Sequence, residues 1–249
     1  MKITERLAIV ASLQFGICGP YDCHVYALCG TDGLVLIDAG GGTHTDCLLA
    51  NVASHFPGRR IEGLLLTHCH LDHCGGAAGI RRGTGCAVFA PEISRNILES
   101  GDDERSGLRA AREQGVYPPD FRLEGCAVHH GVRDGEAFTV AEFEFRPIHV
   151  RGHSVDGFCY LTEVDGRRWL FTGDAVFYGG VLGVINAEGS GMDGYRSDIG
   201  KLKDLDVHGL FPAHGLFTMT NGQRHLDCAI DQAREPFLSR QIGQCERLF

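Results

Sequence analysis

Four imidazole or carboxylate side chains able to bind a metal fall within six consecutive residues, His68-Cys69-His70-Leu71-Asp72-His73. They are His68, His70, Asp72 and His73. A structural zinc site leans on thiolates and fills all four coordination positions with protein. Imidazole and carboxylate instead form the ligand set of hydrolytic sites, which keep a position open for water. Three further candidates each follow an apolar run and have a glycine beside them: His153 in Gly152-His153-Ser154, Asp174 in Gly173-Asp174, and His214 in Ala213-His214-Gly215. Such glycines let the backbone approach a ligand closely. One catalytic zinc takes about three protein ligands plus water. Seven candidates are too many for one ion and suit two, with one shared carboxylate and a separation of roughly 3.5 Å.

The elements that must position these residues can be read from the apolar patterning. Residues 3–13 read as a first strand, in preference to a leader, because Glu5 lies in the opening segment and no small-x-small cleavage site follows. Asp22 to Leu28 and Leu34 to Ile37 read as strands, joined by the turn Gly30-Thr31-Asp32-Gly33. Thr45 to Phe56 reads as a helix stopped by Pro57-Gly58. Ile61 to Leu66 is the strand feeding the histidine cluster, so the cluster sits on a loop at a strand's C-terminal end. Cys74 to Ile80 reads as a glycine-opened helix start. Cys86 to Ala90 is expected to be a strand and Pro91 to Glu99 a helix. Further on, Ala137–Val140, Phe143–Val150, Gly157–Val164 and Trp169–Phe171 are expected strands. Asp165-Gly166 is a hairpin turn between the last two. Asp193 to Leu205 is an expected helix, Gly209–Pro212 a short strand, and Gln223 to about Gln241 a closing helix. Residues 100–124 break the rhythm. They read either as a solvated loop with a short helix near Leu108–Gln114 or as a lid or pocket insertion in a single domain spanning 1–249.

Composition narrows the classes. Apolar residues make up 43% and charged residues 22% of the chain, as expected of a globular protein with a full core. A net charge of −9 argues against nucleic acid or an anionic membrane as partner. No run approaches the roughly 18 apolar residues of a membrane span. Cysteines number 11, with no C-x-x-C pair. Reduced thiols in a cytoplasmic compartment are the simpler reading. The partner expected is a small molecule, and a homodimer is compatible with the sequence.

Taken together, these motifs resemble the metallo-β-lactamase-fold superfamily. His68-x-His70-x-Asp72-His73 is similar to its H-x-H-x-D-H motif, and the settings of His153, Asp174 and His214 are similar to the later ones. Leu36-Ile37-Asp38-Ala39-Gly40 resembles its second-hairpin motif, whose Asp supports the metal loop. The likeness runs from about residue 8 to 217. It implies an α+β fold, a four-layer αβ/βα sandwich of two mixed β-sheets with outer helices. It also implies two zinc ions, with iron or manganese as alternatives. His68, His70 and His153 would hold the first ion, Asp72, His73 and His214 the second, and Asp174 would bridge.

The implied activity is hydrolysis of an ester, thioester or lactone by a metal-bridging hydroxide. Asp72 would carry a proton, and the residual positive charge would favour a carboxylate-bearing substrate. Phe171 to Gly180 resembles the glyoxalase II pattern G-D-x-x-F-x-G-G. The acyl-homoserine lactonases place a catalytic Tyr three residues after the bridging Asp. Here that position is Phe177, with the candidate Tyr178 one further, where strand alternation would point it to the other face. A bridging Asp174 disfavours a true β-lactamase, and phosphodiester hydrolysis is a further alternative. The competing class is a persulfide dioxygenase with one iron, on His68, His153 and Asp174. Phe15, Tyr21, Tyr117, Phe177, Tyr178 and Met192 are candidates for the pocket, and Arg109 and Arg112 for a substrate carboxylate.

Overall fold

The structure, a computed structural model, describes residues 1–235. Two compact units divide it: Met1–Val132 with Thr139–Glu142, and Arg133–Phe138 with the chain from Phe143 onward.

The first unit contains a six-stranded sheet in sequence order, β1 (Leu7–Ala11), β2 (Val25–Cys29), β3 (Gly33–Ile37), β4 (Arg60–Leu65), β5 (Ala87–Pro91) and β6 (His130–Val132). β1, β2 and β3 pair antiparallel; β3 to β6 pair parallel. The switch follows from the connections. A tight turn can reverse β2 into β3, whereas parallel neighbours need crossovers. Those are α1 (Thr45–His55), then α2 (Leu71–Cys74) and α3 (Ala77–Thr84), then α4 (Arg95–Ser100) and α5 (Leu108–Glu113). Every residue of β1, β2 and β3 is buried, which explains their continuous apolar runs in place of alternation. α1 buries Leu48 and Val52, one helical turn apart. α3 ends at Gly85, whose left-handed backbone (φ 73°) lets its N–H bond the Arg81 carbonyl.

The second sheet has the order β11 (Gly209–Pro212), β10 (Arg167–Gly173), β9 (Phe158–Val164), β8 (Phe143–His149) and β7 (Phe138–Val140). β8, β9 and β10 run antiparallel, and β11 joins β10 in parallel. β8 alternates, with Phe143 and Phe145 buried while Glu144 and Arg146 are exposed. Asp165 and Gly166 both have positive φ (50° and 72°), the backbone of a type I′ hairpin. α6 (Met192–Asp198) and α7 (Gly222–Arg234) belong to this unit. α7 buries Leu226, Ala229, Ile230 and Ala233, a helical stripe packed with Val150, Val176, Leu182, Tyr195 and Leu210.

The expected elements occur with small boundary shifts. β6 was not foreseen: three residues, paired along β5, carry too little pattern. The expected helix from Asp193 to Leu205 is shorter, with a 3-10 turn over Ile199–Leu202. The last part of the expected closing helix lies outside the described residues. The all-reduced reading of the cysteines is corrected, since Cys18 and Cys47, 29 residues apart, form a disulfide. Among the described residues no helix is long and apolar enough to cross a membrane.

Candidate metal centre

In the first unit the donors are gathered by one strand end. β4 runs into Thr67 and His68, His70 stays extended (φ −70°, ψ 148°), and the single turn of α2 then carries Asp72 and His73. His68 and His73 are 1% and 0% exposed. His68 Nε2 lies 3.0 Å from His70 Nδ1, and Asp72 Oδ2 lies 3.4 Å from His73 Nε2. Two ligands at 2.0–2.1 Å on one tetrahedral ion stand roughly 3.3–3.4 Å apart. The Asp72–His73 pair has the spacing of one edge of a coordination tetrahedron, and the His68–His70 pair is a few tenths of an ångström tighter.

The orientation of this loop comes from Asp38, buried at the end of β3 with φ 64°. Its Oδ1 accepts the Thr67 N–H at 2.8 Å. Its Oδ2 accepts from the Thr67 hydroxyl at 3.0 Å and from His73 Nδ1 at 2.9 Å. With its proton given to Asp38, Thr67 Oγ1 accepts from His68 Nδ1 at 3.0 Å. Both imidazoles thus carry the proton on Nδ1 and the lone pair on Nε2, the tautomer a metal requires. Cys23 joins Asp38 and His73 in a buried trio whose ligand atoms lie within 4.8 Å. Because both Asp38 oxygens are already hydrogen-bonded, that trio reads as the brace of the loop. Burial pushes the Cys23 thiol well up, so it packs as a neutral group. A close backbone approach completes the loop: a Cβ on Gly76 would stand 2.1 Å from the Ala39 carbonyl oxygen.

In the second unit three separate strand ends supply the donors. His153 follows β8, Asp174 follows β10, and His214 follows β11. The Ala213 N–H to Gly173 carbonyl bond, 3.0 Å, ties the last two loops together. A single oxygen, Asp174 Oδ2, lies 3.3 Å from His153 Nε2 and 3.6 Å from His214 Nε2. His153 Nδ1 donates to the Gly183 carbonyl at 2.6 Å, which again leaves the lone pair on Nε2.

Tyr195 is the hub that holds this carbonyl. Its hydroxyl accepts the Gly183 N–H at 2.9 Å and donates to the Ala175 carbonyl at 2.8 Å. Its ring packs where a Cβ on Gly152 (φ 139°) would be, 2.3 Å away. Burial pushes the Tyr195 phenol well up, so it stays a donor. Arg151 anchors the loop on the other side through Asp198, with Nε to Oδ2 at 2.6 Å. Burial would raise the Asp198 carboxyl, but the hydrogen bonds from Arg151 and the charge of Lys201 hold it well below the usual range.

The structure therefore gathers His68, His70, Asp72 and His73 within one unit and His153, Asp174 and His214 within the other. Tyr178 is exposed, and its ring lies 4.3 Å from His225 of α7. Phe177 is the residue near His214, at 6.4 Å between rings. Arg109 pairs with Glu104, and Arg112 with Asp103 at 2.8 Å, so both are committed inside the 100–124 segment. Phe15 stacks on His24, and Met192 packs on the second unit's core. Tyr117 donates to Asp72 Oδ1 at 3.1 Å. Sequence reasoning missed Tyr195 and Gly183. The one available signal was Gly183, alone in the apolar run Val181-Leu182-Gly183-Val184.

The chain is similar to several known proteins. Residues 18–214 match the family described as the metallo-beta-lactamase superfamily. An atrochrysone carboxyl ACP thioesterase of Aspergillus fumigatus is 29% identical over 86% of this chain and 58% of its own length. A probable metallo-hydrolase of Bacillus subtilis is 27% identical over 89% of this chain and 94% of its own. A hydroxyacylglutathione hydrolase of Marinomonas sp. is 28% identical over 49% and 35%. The matched region thus spans less than two thirds of the Aspergillus and Marinomonas relatives. Among solved structures, a metallo-beta-lactamase variant from Cronobacter sakazakii superposes with a TM-score of 0.69 at 18% identity, covering 92% of each chain. That likeness shows the fold.

Proposed function

The chain belongs to the metallo-beta-lactamase superfamily of metal-dependent hydrolases, and from that premise we propose that it is a dinuclear zinc hydrolase of a thioester or a related ester or lactone. In this reading His68, His70 and His153 hold one ion, Asp72, His73 and His214 hold the other, and Asp174 belongs to both. The observation that carries it is the division of donors within each unit. Two separate pairs occur in the first, and one shared oxygen faces two imidazoles in the second. The closeness of Asp174 Oδ2 to both imidazoles, 3.3 and 3.6 Å, supports reading it as a bridging ligand. The residues fit the group chemically as well, since imidazole and carboxylate suit zinc with an open position.

When bound, two divalent ions supply an activated water at neutral pH and polarise the substrate's carbonyl oxygen. The rest is done by the chain. Asp38 and the Gly183 carbonyl fix His73 and His153 in the tautomer that keeps Nε2 available. The two carboxylates, Asp72 and Asp174, reduce four ionic charges to two, which favours a substrate with an anionic group nearby. Asp72 holds the proton in transit to the leaving group. The thioester class is put first because a relative matched over most of this chain is named for it.

The test is a panel of acyl thioesters, lactones, β-lactams and phosphodiesters assayed with zinc, manganese or iron loading. Thioester hydrolysis that is lost with chelator and restored by zinc is expected. Full activity after chelation contradicts the proposal. Oxygen consumption with glutathione persulfide on the iron-loaded protein would favour the dioxygenase reading instead.

A further inference from the structure

Tyr117 lies 45 residues from Asp72 in sequence, yet its hydroxyl meets that carboxylate at 3.1 Å. The contact is on Oδ1, while Oδ2 faces His73. The two oxygens of Asp72 are therefore differentiated, one toward the imidazole that shares its edge and one toward a phenol.

The phenol is delivered by a braced segment. Asp103 accepts from Arg112 at 2.8 Å and from the Leu123 N–H at 2.9 Å. Arg112 also donates to the Phe121 carbonyl. Asp102 Oδ1 accepts the N–H groups of Glu104 and Arg105, both at 3.1 Å. The Tyr117 ring packs beside Tyr21 at 5.6 Å and Phe121 at 5.8 Å, and these two meet edge-on at 4.9 Å.

We propose that Tyr117 is a positioning residue: its hydroxyl fixes the rotation of the Asp72 carboxylate so that Oδ2 alone is presented to the metal. This gives residues 100–124 a role as the carrier of an outer hydrogen-bond partner to a metal ligand. It rests on the two-ion reading above. A monodentate carboxylate has a soft torsion, and a neutral donor on the second oxygen holds it. Such partners typically contribute 10–100-fold to metal affinity or activity.

The experiment uses the full chain with Tyr117→Phe, which keeps the ring and removes the hydroxyl. Cobalt is titrated into the metal-free protein, read by its visible d–d absorption and by chelator competition. The expected result is a first equivalent bound as in wild type and a second weakened about 10–100-fold. The cobalt spectrum of the second site should change, kcat should fall, and KM should move little. Phe121→Leu trims the aromatic packing and leaves the hydroxyl, so it should retain the second ion. Equal loss in both variants would make the effect one of packing and overturn the hydroxyl's role. A Tyr117→Phe protein that binds two ions as tightly as wild type, with unchanged spectrum, overturns this proposal alone. A wild type that binds a single ion overturns the two-ion reading and this proposal with it.

Discussion

The two donor groups, one in each unit, solve the same problem by different means. In the first unit four donors lie on one loop, and one buried carboxylate, Asp38, orients it through Thr67 and His73. In the second, three donors come from three strand ends, and a neutral phenol and a backbone carbonyl, Tyr195 and Gly183, do the orienting. A contiguous loop needs a single anchor, because chain connectivity already limits where its donors can go. Scattered donors need the hydrophobic core itself as anchor, and Tyr195, 0% exposed, is part of that core. Damage to the first half should therefore read out mainly as metal affinity. Damage to the second should read out as stability and metal affinity together.

The sharpest way to break this comparison is at Asp174, whose one oxygen serves two imidazoles. Asp174→Ala should cost roughly a thousand-fold or more in kcat/KM, if the ions contribute several kcal/mol to the transition state. Circular dichroism should show the fold retained. An activity loss below tenfold would deny Asp174 its shared role. Next is the anchor of the first unit. Asp38→Asn replaces an acceptor that serves Thr67 and His73 with a group that must donate on one side. Metal affinity should fall about 10–100-fold, measured by chelator competition, with a smaller change in the melting temperature of the metal-free protein.

The counterpart in the second unit is Gly183→Ala. A Cβ there would stand 2.1 Å from the Asp174 carbonyl oxygen and 3.1 Å from His153 Nδ1. It should destabilise the chain by about 1–3 kcal/mol in denaturant melts without metal, and weaken metal binding as well. If Gly183→Ala altered affinity without stability, the two halves would not differ as argued.

The smallest effect expected is a pH dependence in the second unit. Asp198 is held below the usual carboxylate range by Arg151 and Lys201, against its burial. A lowered folded pKa means its stabilisation is fully present above the unfolded value of about 3.9 and is lost as pH falls below it. Asp198→Asn should melt lower than wild type at pH 7, and the gap should begin to narrow at about pH 4 and shrink steadily as the pH falls further. A gap independent of pH would remove Asp198 as a charged brace.

How much of this was legible in the sequence follows the same division. The loop from His68 to His73 announced itself, because contiguity puts the donor types next to one another. His153, Asp174 and His214 were found through their shared setting of strand, glycine and donor, and the hairpin at Asp165-Gly166 through its turn chemistry. The braces were less visible. Asp38 could be placed by family likeness, but Tyr195 acts across 12 residues on Gly183 and 20 on Ala175, through contacts only a folded core defines. Tyr117 was noted as a pocket candidate, but its bond to Asp72 depends on the path of the whole 100–124 segment. Tyr178 was already offset by one residue from the position the lactonase likeness indicates, and the left-handed Gly179 (φ 78°) and Gly180 (φ 79°) follow it, with its ring beside His225 of α7. The Cys18–Cys47 bond had no local signature at all.

The most direct test of the central claim is the metal count of the purified full chain after equilibrium dialysis against zinc, in wild type and in Asp72→Ala and Asp174→Ala. The account expects two ions in wild type, one retained in Asp72→Ala, and both weakened in Asp174→Ala, with thioester hydrolysis following the two-ion population. One ion in wild type, or two ions and full hydrolysis in Asp174→Ala, would contradict it.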